Sequence, residues 1–407
     1  MSGVASPVSS REIQNSLEIV IEQDRYWIGR WDFPRPDDAV LEMLTEEILD
    51  SFNRLRRAVI STESIKLDAD LCHQHLRIMA EWGQTAYQEF FGDDKPNKRL
   101  MGRLSPNVAP TFVSETTPFP WEVLYQGSGS DYEQGNPEKF WGLRYTPARI
   151  LNPEKDITDY ISEQSSQSDM LFCLHHKLLG SHQEERPEIE RMVGGSHHDR
   201  FSLLGTTCDF ACDAEALVGD DLLKYLYKSR HNMLHFACHC RRSQRGDDSL
   251  LVSFIRDEAL EETAQVIELE TYKFSLRGGQ FIYQPLVFLN ACQSVGGVDE
   301  LRRTFNLPKA FIKRGAAAVI ATACPVPDAF AAAFAKVFYR FFLRGEVVLD
   351  EMMGEKVVKL MSIGEALRAT RWFFLKEYNN PLGLAYVLYS PAHYQLAQFP
   401  DVALTYS

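Results

Sequence analysis

No run in this sequence stays apolar for the roughly 20 residues that a membrane-spanning helix requires. The opening Met1 to Arg11 is polar and lacks the apolar segment of a secretory leader. Neither a membrane span nor a cleaved signal is expected. Positive charge is also short: 43 Lys and Arg stand against 56 Asp and Glu, a net charge of −13, and no basic stripe gathers anywhere. That removes the electrostatic footprint of a nucleic-acid-binding protein, so direct nucleic-acid binding is not expected. The eight cysteines, at positions 72, 173, 208, 212, 238, 240, 292 and 324, do not form the dense pattern of a disulfide scaffold and lie mostly in apolar or strand-like surroundings. This usage suits a reducing cytoplasm, where thiols stay free. No internal repeat at a period of about 34 residues is visible, so the chain carries no tetratricopeptide array of its own.

What is present suits a globular protein of one large or two closely joined domains, with 45% hydrophobic residues, 24 Gly and 19 Pro. Residues 1–16 are Ser-rich and read as a loose tail, and 399–407 as a second one. Residues 17–165 read as an N-terminal α/β part, and the polar run SEQSSQSD at 162–169 as the hinge into a core over 166–398. In the N-terminal part a hairpin over 17–28 precedes two helices. Asp37 and Asp38 cap the first, whose Leu41, Leu44, Ile48, Phe52 and Leu55 recur at helical spacing. The second starts at Asp68 or Asp70 and runs to Phe91. Short strands and turns follow in APTFVSE, FPWEVLY and FWGLRYTPARIL.

The core alternates between strand and helix. Strands are expected at 170–174, 201–205, 232–238, 286–289, 316–323 and 384–389. Helices are expected at 187–193, 214–229, 300–314, 328–343 and 363–378, with an insertion at 241–280. Such alternation predicts a three-layer α/β fold around a mainly parallel sheet.

Two of these strands end in reactive residues. Leu286 to Leu289 is apolar on both faces, as in a covered central strand, and Cys292 follows where Gln293, Ser294, Gly296 and Gly297 signal a loop. The run from Asn232 to Cys238 likewise ends in His239 and Cys240, before a polar loop. As parallel neighbours, the two strands bring imidazole and thiol to the C-terminal edge of the sheet, where open α/β folds place their chemistry.

The blocks HFACHC at 235–240, VFLNACQS at 287–294, FIKRGAAAVIATACPVPDAFAAAFAKVFYRFFLRG at 311–345, GEALRAT at 364–370 and YVLYSPAHY at 386–394 resemble a CHAT domain, a family similar to caspases and separases. PFPWEVLY at 118–125 is similar to the hairpin such domains carry upstream. The interval from His239 to Cys292 also matches the roughly 50 residues between the two in caspases. The resemblance implies a caspase-like fold and a cysteine endopeptidase that cleaves protein substrates with a His239–Cys292 dyad and no cofactor. It further implies a switchable protease of bacterial defence or stress systems, some of them CRISPR-associated, served by an activating or tetratricopeptide-type partner protein. Two residues depart from the pattern: Cys240 stands where relatives carry Gly, and Cys324 where they carry Trp.

The expected chemistry is acyl transfer. His239 generates the Cys292 thiolate, and the backbone N–H groups of Cys292 and Cys240 hold the oxyanion. Asp247 and Asp248 are candidates for a pocket selecting a basic side chain, against the reading of a solvated loop with Arg241, Arg242 and Arg245. Asn290 either lines that pocket or orders the Cys loop, and Asp328 either lines it or caps the Ala-rich helix that follows.

Each role has a plainer rival. Cys292 taken alone reads as a buried structural thiol, His239 as a satisfied core or rim histidine, and His235 as packing. A zinc site from Cys208, Cys212, Cys238, His239 and Cys240 meets an obstacle, because consecutive strand residues face opposite ways. His175-His176 and His197-His198 read as loop pairs without nearby cysteine, so no metal is expected. The competing function is a catalytically inactive docking module that keeps the fold, which the departures at Cys240 and Cys324 favour.

Overall fold

The computed structural model describes residues 16–105, 108–151, 160–161, 170–194, 201–204, 219–242, 248–254, 265–276, 278–292, 298–349 and 356–396. In β1 (Ser16–Ile21) every second residue is buried, the pattern of a strand with one covered face. It pairs antiparallel with β2 (Arg25–Ile28), which pairs with β3 (Trp31–Pro34). Two long amphipathic helices follow, α1 (Asp38–Ser61) and α2 (Ala69–Phe91). Phe90 and Phe91 of α2 meet Tyr26 of β2 edge-on, and the short α3 (Asp94–Met101) leads back to the sheet. The strand β4 (Ala109–Val113) runs parallel to β1. After the single turn α4 (Trp141–Arg144), β5 (Ala148–Ile150) runs parallel to β4. The sheet order is β3-β2-β1-β4-β5.

PFPWEVLY does not form the expected strand. It folds into a 3-10 turn at Trp121–Val123, with a lone bridge between Tyr125 and Phe140. Pro118 and Pro120 have no N–H for a ladder, and Trp121 stacks on Phe112 with centroids 4.0 Å apart.

The second sheet is the mainly parallel one. The two-residue strand β6 (Tyr160–Ile161) precedes it. Its first strands are β7 (Met170–Leu174), β8 (Phe201–Leu203) and β9 (Met233–Arg242). β10 (Asp248–Phe254) and β11 (Gln265–Glu270) follow, then β12 (Leu286–Cys292) and β13 (Ala318–Thr322). Neighbours in the order β8-β7-β9-β12-β13 are all parallel. The helices between them are α5 (Arg186–Gly194), α6 (Gly219–Lys228), α7 (Thr271–Leu276), α8 (Val298–Lys313) and α9 (Asp328–Arg344). The hairpin of β14 (Glu346–Leu349) and β15 (Lys356–Lys359) leads to α10 (Ile363–Tyr378), which Ser362 and Glu365 open with a reciprocal capping box. Antiparallel β16 (Tyr386–Tyr389) completes the sheet beside β13, and β17 (Gln395–Leu396) pairs with β6.

On one face of this sheet His235 and Phe288 pack on Tyr339 of α9; on the other, Phe236 packs on Phe311 of α8. Helices on both faces of a mainly parallel sheet make the three-layer α/β fold expected from the sequence. No helix among the described residues is long and apolar enough to cross a membrane.

Three expectations around the sheet are corrected. β9 does not end at Cys240 but continues to Arg242, because β10 pairs with it from His239 onward, beyond the point where β7 stops. The described parts of the 241–280 insertion are therefore a hairpin and a helix added to the sheet, not a loop. Residues 182–186, which the sequence suggests form a loop leading into the helix at 187–193, instead belong to a π-helical turn at Ser181–Glu185 and the start of α5.

Candidate active site

β9 and β12 align in parallel register from Met233 opposite Leu286 to His239 opposite Cys292. The two residues are direct partners at one level of the sheet, on strands about 4.8 Å apart. The chain does this through two mostly apolar runs, Met233 to Phe236 and Leu286 to Leu289, which are buried and fix the level at which each strand ends. The Cys292 thiol lies outside the described residues. His239 is half-buried.

A second imidazole stands against His239. His175 follows β7 directly, and its N–H donates to the Ala237 carbonyl at 2.8 Å. Its ring meets His239 edge-on, with centroids 4.6 Å apart and planes at 66°. The Lys177 N–H donates to His175 Nδ1 at 3.3 Å, and His176 stacks on the other side at 4.6 Å. His176 in turn shares a 2.7 Å hydrogen bond between its Nδ1 and the Ser253 hydroxyl. Burial, then the charges of His239, His176, Lys177 and His182, push the His175 imidazole down to about 4. His175 thus stands directly against the candidate base His239, although the sequence reads it only as one of a loop pair. The signal was available, because parallel strands share one C-terminal edge and the pair ends such a strand.

The antiparallel register puts Leu251 opposite His239 and Ser249 opposite Arg241. Arg241 and Glu268 of β11 form an ion pair at 2.5 Å, and the Ser249 hydroxyl donates to the same carboxylate at 2.6 Å. Arg241, with Ser249, then shelters Glu268 and holds its carboxyl below the usual value. This pair lies one step beyond His239 on the same face.

The proposed pocket residues separate. Asp248 is buried and lies opposite Arg242, at the alternation of Leu250 and Cys240, so it faces away from His239. Asp247 lies outside the described residues. Asn290 is on the face of His239 but enclosed, with its amide hydrogen-bonded to Glu185, Ala331 and Tyr386. Asp328 is exposed and is the first residue of α9; Pro327 occupies the cap.

Cys238 and Cys240 are buried on the face opposite His239. Cys208 and Cys212 lie outside the described residues, as do His197 and His198. Among the described residues no three potential ligands converge on a metal position. The extended course of β9 through Cys240 requires no positive φ there, so a side chain is tolerated where relatives have Gly. Cys324 is buried at the end of β13, in the packing rather than on the surface. A cavity of about 230 Å³ beside α2, lined by Arg77, Ile78, Glu81 and Tyr132 among others, takes no residue from β9 or β12.

No curated protein matches the chain. Among solved structures, the Arg-specific cysteine proteinase gingipain R (RgpB) is 9% identical with a TM-score of 0.44, over 96% of this chain and 80% of that one. The complex of Porphyromonas gingivalis RgpB pro- and mature domains is 9% identical with a TM-score of 0.40, over 78% of this chain and 69% of that one. The CHAT domain family model matches residues 109–362, from the start of β4 to the cap of α10. GEALRAT and YVLYSPAHY fall beyond that range. Matched by this model over more than half its length, the chain belongs to the CHAT domain family.

Proposed function

We propose that the chain is a cysteine endopeptidase in which His239 and Cys292 act as a dyad on protein substrates. The in-register pairing of these residues across β9 and β12 carries the reading. His239 takes the Cys292 proton, and the thiolate adds to the peptide carbonyl. The N–H groups of Cys292 and Cys240 are the proposed oxyanion donors. Collapse of the tetrahedral adduct breaks the C–N bond, with the His239 proton passing to the leaving amine. Water then hydrolyses the thioester, with His239 as base.

A protein digest with native chain, Cys292→Ala and His239→Ala tests the assignment. Both variants are expected to lose cleavage while retaining the native unfolding transition; cleavage retained by either one overturns it. The family resemblance supports extending the proposal to a switchable enzyme that a partner protein activates, in a defence or stress system. Digests with and without candidate activators test that extension.

A further inference from the structure

Beneath His239 lies a set of buried polar side chains that the chemistry above does not use. His235, fully buried, presents Nε2 at 3.0 Å to Glu185 Oε1 and Nδ1 at 3.2 Å to the Tyr339 hydroxyl. Asn290, two residues before Cys292, donates through Nδ2 to the same Glu185 oxygen at 3.3 Å and to the Ala331 carbonyl at 3.0 Å. Its Oδ1 accepts from the Tyr386 hydroxyl at 2.9 Å. Glu185 itself is 1% exposed. One carboxylate oxygen therefore reaches both strands that deliver the dyad, His235 on β9 and Asn290 on β12.

The main chain makes a special arrangement to put it there. Glu185 closes the π-helical turn Ser181–Glu185 ahead of α5. The wider turn leaves Glu184 exposed and Glu185 buried. Stability alone does not account for the choice. Burying a carboxylate carries a large desolvation cost, and well-packed apolar residues in place of a buried polar pair often serve stability as well or better. What the carboxylate adds is geometry: a hydrogen bond from Asn290 on β12 and, from the same oxygen, a 3.0 Å electrostatic contact, not an aligned hydrogen bond, to His235 Nε2 on β9.

We propose that Glu185 is a positioning residue, which holds β9 and β12 in the relation that sets His239 against Cys292. This rests on the dyad reading. The rate of Cys292 alkylation by iodoacetamide, followed by peptide mass spectrometry, tests it. The rate is compared in the native chain, His239→Ala, Glu185→Ala and Glu185→Gln, each well below its unfolding transition.

Alkylation is expected to depend on His239, to slow by about 10- to 100-fold in Glu185→Ala as misplaced reacting groups do, and to recover most of its rate in Glu185→Gln, whose amide oxygen still accepts. A merely structural Glu185 lowers the unfolding temperature and leaves the rate below it unchanged. That result, with the His239 dependence intact, overturns this proposal and spares the dyad. Failure of Gln to restore the rate overturns it too. Alkylation indifferent to His239 removes the dyad reading and this proposal together. Should Glu185→Ala not fold, Glu185→Asp, which withdraws the carboxylate by one methylene, is judged by the same outcomes.

Discussion

His175 is a residue at which acidity acts on this fold with a sign that can be worked out. In the unfolded chain an ordinary histidine gains a proton as pH falls through about 6.5. In the folded chain burial, with the nearby Lys177 among the lesser causes, holds His175 neutral down to about 4. The unfolded state therefore binds more protons between those values, and stability falls with acidification across that window. Above it His175 contributes no pH dependence. Replacing His175 by Phe is expected to flatten this part of the stability curve, whatever it does to stability at neutral pH. Urea midpoints measured from pH 7 down to pH 4 check it, and an unaltered slope in the variant contradicts it. The placement of His239 opposite Cys292 was legible in the sequence because each follows a mostly apolar run that reads as a strand. The place of Asp248 was not, because its lying on a strand rather than a loop decides which face it occupies, and that strand pairs with β9 from His239 onward, at Arg242 for Asp248 itself.

At the scale of elements, the strands and helices with strong local patterns were readable, including β7, α9 and α10, while those shaped by tertiary contact were not. PFPWEVLY reads as extended from its apolar residues, yet its prolines and the stacking of Trp121 on Phe112 make it a 3-10 turn. That turn depends on one glycine in the facing helix. A Cβ on Gly83 of α2 would stand 2.0 Å from the Val123 carbonyl oxygen, and the Gly83 carbonyl itself accepts from the Tyr125 N–H at 3.1 Å. Neither backbone can retreat without disturbing the other. Gly83→Ala, usually favourable inside a helix, is here expected to destabilise by about 1–3 kcal/mol through overpacking. Thermal unfolding measures this directly, and a variant as stable as the native chain would mean that the two elements do not approach so closely.

Across the whole molecule, the N-terminal part and the parallel sheet share one continuous hydrophobic core, and a buried charged cluster ties them together. Glu122, in the turn just described, receives both guanidinium arms of Arg149 from β5 at 2.8 and 2.7 Å. Arg371 of α10 lies 3.7 Å from the same carboxylate and donates to the carbonyls of Gly142 at 2.9 Å and Tyr386 at 2.5 Å. All three charged residues are buried. Burial draws the Arg371 guanidinium down to about 10, against the pull of Glu122, so it remains a cation at neutral pH. Among the described residues, Glu122 is thus the one acidic side chain facing two buried cations at the junction of the two parts. Removing it leaves both uncompensated, and Glu122→Ala is expected to cost about 3–5 kcal/mol. Glu122→Leu combined with Arg149→Met leaves only Arg371, which keeps its two carbonyl partners, so the double variant should be the less damaged of the two. Denaturant unfolding of both variants decides the matter: if the single substitution proves the milder, the cluster is not held together by its charges.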